Sequence, residues 1–143
     1  MTNRQELIAA YTATRFEAET PNGMIVLRIG ATNAALAGLL ERAAVDCAGY
    51  LTAWNPGSVP QSAERNANAH RRLLHEIESR ACPYYSGYGR DPTGVWPPEH
   101  SLLVLGLSLE ETCELGRRFG QAAVVAVDAA ATPRLVWLGL ADR

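Results

Sequence analysis

The sequence predicts a single α+β domain, a mixed sheet of about six or seven strands with helices packed against it. Three observations predict it. Between Trp96 and Asp128 an apolar run at 102–107, a capped helical segment and a second apolar run at 122–127 make a β-α-β unit. Near the start, Thr14, Phe16 and Ala18 alternate with Arg15, Glu17 and Glu19, and Thr20-Pro21-Asn22-Gly23 turns the chain into a second apolar strand, a hairpin. Between these lies a helical stretch with Leu73, Leu74 and Ile77 on one stripe.

Taken in order, residues 2–12 form a short helix carrying Leu7, Ile8 and Tyr11 on one side. Strands at 14–19 and 24–29 follow. Thr32 or Asn33 caps a second helix with Leu36, Leu39, Leu40 and Ala43 on its stripe. A buried strand at 50–54 stops at Asn55-Pro56-Gly57-Ser58, where proline and glycine end the ladder. Ser62 caps a third helix running to about Arg80, and stepping back along its stripe from Leu73 places His70 and Asn66 on the buried side.

Tyr84, Ser86 and Tyr88 alternate as a strand whose other side is kept bare by Gly87 and Gly89. Residues 90–98 form a loop with Trp96 as its one large aromatic. Ser108 and Glu111 make a capping box, Glu110 and Arg117/Arg118 agree with the helix dipole, and Gly120 stops the fourth helix. A last hairpin joins 122–127 to 134–140. The expected order is α-β-β-α-β-α-β-β-α-β-β.

At 143 residues the chain is about one domain, able to bury roughly two-thirds of its unfolded surface. Its cations are all arginines, and the net charge of -2 gives no pull toward polyanions, so no nucleic-acid partner is expected. No apolar run approaches the ~20 residues of a membrane span, and the N-terminus carries no signal-peptide core. Cys47, Cys82 and Cys113 are odd in number and widely spaced, which fits reduced thiols in a cytoplasmic protein. Neither a nucleotide fingerprint nor metal-ligand spacing of His70, His75 and His100 is present, so no cofactor or metal is expected. Ser101 lacks a nucleophile-elbow context, which argues against a hydrolase triad.

Polar residues at the ends of buried elements are what a pocket would use, because ligands gather outside strand ends. Asn55 ends one strand, Asn66 lies on the inner stripe of the next helix, Glu99 and Ser101 share a face at the start of another strand, and Gln121 opens the strand after the fourth helix. Trp54 and Trp96 would wall the site. Glu99, beside Trp96 and two prolines, would be partly desolvated, raising its pKa toward general-base work; otherwise it pairs with an arginine or caps a loop N–H. The expected function is a pocket for a small polar ligand, nucleotide-like or phosphorylated, with Glu99 as base or hydrogen-bond acceptor. The alternative is a non-catalytic protein-interaction module in which these residues only fix loops.

Tyr11-x-x-Thr14-x-Phe16, Thr52-Ala53-Trp54-Asn55-Pro56, Asn66 with Leu73, Gly87, Gly89, Trp96, Glu99-x-Ser101-Leu102-Leu103-Val104 and Phe119-Gly120-Gln121-x-Ala123 occur in that order. In this the chain resembles the small bacterial proteins grouped as domain of unknown function 3293. The resemblance implies no activity, but its pattern includes the polar positions chosen above. It departs at Ala122, where the pattern often has Asn, so no polar role is implied there.

Overall fold

The computed structural model describes residues 3–139. Thr2, at the start of the expected first helix, and Leu140, at the end of the expected last strand, lie outside them. The elements are α1 (Arg4–Ala13), β1 (Arg15–Thr20), β2 (Gly23–Leu27), α2 (Ala34–Ala43), β3 (Ala48–Thr52), α3 (Ala63–Glu78), β4 (Tyr84–Arg90), β5 (Glu99–Leu105), α4 (Leu109–Arg118), β6 (Ala123–Val127) and β7 (Pro133–Trp137). This is the α+β order the sequence predicts, with one added 3-10 turn at Pro56–Ser58.

Local chemistry sets the helix starts. Asn3, Asn33, Ser62 and Ser108 each accept a backbone N–H two or three residues into their helices. At α4 the box is reciprocal: Ser108 Oγ accepts the Glu111 N–H at 3.1 Å and Glu111 Oε1 accepts the Ser108 N–H at 3.0 Å. Asn33 also donates to the Val26 carbonyl at 3.0 Å, tying the start of α2 to β2.

One seven-stranded sheet runs in the order β2-β1-β4-β5-β3-β6-β7. Every hydrogen-bonded pair in it is antiparallel. The β-α-β unit is present, with β5 and β6 running parallel, but β3 lies between them and pairs antiparallel with both. The mixed pairing expected from that unit therefore resolves into antiparallel ladders. Strand β3 begins two residues earlier than its apolar run suggests, because Ala48 and Gly49 pair with Leu105 and Val104. Gly49 is required there: a β-carbon would sit 2.5 Å from Thr112 Oγ1 on α4.

The two faces of the sheet carry separate cores. Phe16, Ala18, Leu27, Tyr50, Leu103, Leu105 and Val125 pack under Leu36, Leu39 and Leu40 of α2. On the other face Leu51, Leu102, Val104 and Val124 pack with Leu73 and Ile77 of α3 and Leu115 of α4. Alternation along each strand divides the residues between the faces. Strand β1 leaves its ladder with β4 after Phe16↔Gly89 and curls over that strand. Gly87 permits this, since a β-carbon there would lie 1.7 Å from the Glu17 carbonyl oxygen. Glu17, expected on a half-exposed side, is buried and held by Arg90 at 2.7 Å. No described helix is long and apolar enough to cross a membrane.

Candidate functional site

The site begins where β3 ends. Thr52 Oγ1 donates to the His100 carbonyl at 2.8 Å and accepts the Trp54 N–H at 3.0 Å, so the strand closes on its own side chain. Asn55 then takes a left-handed conformation (φ 45°, ψ 66°), which asparagine adopts more readily than most residues. Its backbone N–H donates to Asn66 Oδ1 and its Oδ1 accepts from Asn66 Nδ2, both at 2.8 Å. Gln61 joins the cluster, its side chain donating to Asn66 Oδ1 at 2.8 Å and its backbone N–H to Asn55 Oδ1 at 3.1 Å. With its carbonyl and backbone N–H thus engaged, Asn55 aims Nδ2 at Glu99 Oε2, 3.2 Å away.

Glu99 is the first residue of β5, on the face that carries Leu103 and Tyr50. It borders a hollow of about 110 Å³ between α1, the sheet, the turn at 55–60 and the loop at 91–97. One water needs ~10–15 Å³ measured this way, so the hollow has room for a small organic molecule. Phe16, Tyr50, Thr52, Val125 and Leu135 form its floor, and Leu7, Ala10, Tyr11 and Thr14 of α1 and its end form one wall. Trp96 and Pro97 stand at the opposite side, half-exposed Trp96 being the largest group there. Asp91 fixes that loop: its carboxylate accepts the backbone N–H groups of Thr93, Val95 and Trp96, and these bonds, that from Thr93 first, hold its pKa below the usual carboxylate value.

Burial pushes the Glu99 carboxyl up to about 7, and the hydrogen bond from Asn55 offsets part of that rise. None of the ion pairs among the described residues includes Glu99, so the arginine partner that would make it purely structural is not there. Across the hollow the Tyr11 hydroxyl and Ser58 Oγ lie 2.7 Å apart. Desolvation raises the Tyr11 phenol, Ser58 offsets part of this, and the charge on Glu99 adds to the rise.

The residues predicted for the site divide. Glu99, Asn55 and Trp96 line the hollow. Asn66 is buried behind Asn55 and acts as a positioning residue. Ser101, also buried, donates to the Glu99 carbonyl at 2.9 Å rather than facing the hollow. Gln121 anchors backbone, its amide reaching the carbonyls of Trp54 at 3.2 Å and Phe119 at 3.3 Å. Trp54 does not wall the hollow; it sits edge-on to His100, ring centroids 6.5 Å apart. Tyr11, Thr14, Ser58 and Asp91 line the hollow without having been chosen as site residues. The one sequence signal for Tyr11 and Thr14 was their place in the Tyr11-x-x-Thr14-x-Phe16 pattern.

Behind β5 lies a second polar grouping. His100 points away from Glu99 and stacks on His70 of α3, centroids 3.8 Å apart and rings inclined 17°, with Tyr88 stacked on its other side at 5.0 Å. Burial, with His100 alongside, brings the His70 pKa down to about 4, and burial lowers His100 as well. His70 Nδ1 is buried without a partner among the described residues. No three His, Cys, Asp or Glu side chains among those residues gather as metal ligands.

Fold and hollow together define a small α+β protein with a desolvated carboxylate at the edge of a ligand-sized cavity. The family model described as a protein of unknown function (DUF3293) matches residues 51–124, just over half of the chain. The chain belongs to this family. The matched segment holds Asn55, Asn66, Trp96 and Glu99, whereas Tyr11 and Thr14 lie before it. No curated protein and no solved structure matches the chain.

Proposed function

We propose that the protein binds a small polar organic molecule in the hollow beside Glu99, with this carboxyl as general base or hydrogen-bond acceptor. The observation that carries the reading is the pairing of a cavity with a carboxyl brought to about 7, where a carboxyl group can both take and give a proton at neutral pH. The fixed Asn55–Asn66 cluster supports it, since an amide held on three sides orients the carboxylate in advance. A nucleotide-like or phosphorylated ligand has less support than a ligand without anionic groups. No arginine or histidine borders the hollow among the described residues, and a phosphate there would face Glu99 and Asp91 without a cation.

The reading as an interaction module would have Glu99 buried in a network with no space beside it, and the hollow weighs against that. The test is a thermal-shift screen of a metabolite library on wild type and Glu99→Gln. A compound that raises the wild-type Tm and loses its effect in the variant supports the reading. Failure of every compound, or equal response of both proteins, removes the role for Glu99.

A further inference from the structure

The charges around the hollow have one sign. Glu99 and Asp91 border it, and no cationic side chain does among the described residues. Tyr11, Phe16, Tyr50 and Trp96 add aromatic surface to the same lining. Glu99 uses only Oε2 toward Asn55; Oε1 has no hydrogen-bond partner among the described residues, and it is not one of the fully buried orphan atoms, so solvent reaches it. A carboxylate stripped of most of its water and given no counter-charge gains more from a cation than from any neutral donor. Aromatic faces attract cations too, through the quadrupole of the ring. An anion entering the hollow would gain neither.

Resting on the ligand-pocket reading above, we propose that the hollow selects small organic ligands carrying a protonated amine, held between the free oxygen of Glu99 and the aromatic wall. The remainder of such a ligand meets Leu7, Val125 and Leu135, so a short hydrocarbon tail suits the cavity better than a polar one. Ionised Glu99 is the binding form. The amine therefore holds the carboxylate charged, and binding at pH 6 releases a proton.

The test compares three probes of matched length, butylammonium, 1-butanol and butyrate, titrated into the full chain at pH 7.5 and followed by backbone amide shifts. The expected result is butylammonium bound at lining residues with a Kd about tenfold below that of 1-butanol, and no shift at those residues from butyrate. In Glu99→Gln the advantage of the amine over the alcohol falls to about threefold or less. The wild-type comparison stands without the variant, should that protein fold poorly. Equal binding of the alcohol, or a preference for butyrate, overturns the amine class while leaving the pocket occupied. Silence from all three probes overturns the amine class too, and the library screen then decides the pocket by itself.

Discussion

Asn55 and Asn66 hold each other by two hydrogen bonds of 2.8 Å, one through a backbone N–H and one between the amides. The pair joins the end of β3 to the first turn of α3, and Asn66 divides its amide between Asn55 and Gln61. Only the Asn55 Nδ2 is left over, and that group meets Glu99. A residue on one side of the sheet thereby sets the geometry of a carboxyl on the other.

Asn66→Ala removes both bonds and leaves the Asn55 N–H and the Gln61 amide without their acceptor at a half-buried junction. The expected loss is about 2 kcal/mol, about 1 kcal/mol for each donor left without its acceptor. Urea unfolding of the variant against wild type measures it, and a loss of unfolding free energy smaller than a quarter of that would mean water replaces Asn66 freely.

Asn55→Gly keeps a backbone that accepts positive φ but deletes the donor to Glu99. That bond favours the charged carboxylate, so its loss raises the Glu99 pKa above about 7. Carbon-13 titration of the Glu99 carboxyl in both proteins gives the two values. A fall, or no change, contradicts the assigned bond.

Stability should respond to pH in opposite senses at the two faces of β5. Glu99 titrates at about 7 when folded and near 4.5 otherwise, so its contribution is complete below 4.5 and is lost as pH rises toward 7. His70 titrates at about 4 when folded against 6.5 otherwise, so its contribution is complete above 6.5 and is lost as pH falls toward 4; His100 acts in the same sense. Between pH 4.5 and 6.5 the slopes oppose. Glu99→Gln should give stability that climbs with pH across this window, and His70→Phe stability that declines. Urea midpoints at several pH values read both slopes.

Two glycines on β4 separate a steric need from mere tolerance. Gly87→Ala places a β-carbon against the Glu17 backbone and should cost about 3 kcal/mol, the upper end for overpacking. Gly89→Ala meets nothing closer than Thr14 Cγ2 at 3.7 Å, an ordinary contact, and should change stability by less than about 1 kcal/mol. Thermal melts of the two variants side by side decide it.

Element types were legible because their signals are local: the caps at Asn33, Ser62 and Ser108, the turn at 20–23 and the stripe on α3 all formed as read. Pairing within the two hairpins, β1 with β2 and β6 with β7, was legible, but pairing between distant strands was not. The insertion of β3 between β5 and β6 depends on contacts between residues about fifty to eighty apart, and periodicity carries no partner information. At the site, Glu99 stood out because prolines and an apolar strand in its own neighbourhood foretell desolvation. Tyr11 and Ser58 did not, because a helix and a turn 47 positions apart meet only after the sheet has formed. Trp54, expected to wall the site, misses it because β3 ends at Thr52, so the alternation along the strand does not extend to that ring. The stacking of His70 on His100 escaped for the same reason as Tyr11: spacing along one helix says nothing about a ring arriving from a strand.

Glu99 and His100 are consecutive, so a single peptide unit separates the hollow from the imidazole stack. Any guest that shifts the Glu99 backbone tilts the His100 ring between its two flat neighbours, and ring-current fields change steeply with such tilts. The carbon-bound protons of His100 thus serve as a built-in gauge of occupancy, readable from the opposite face of β5 without a label and without disturbing the cavity they monitor.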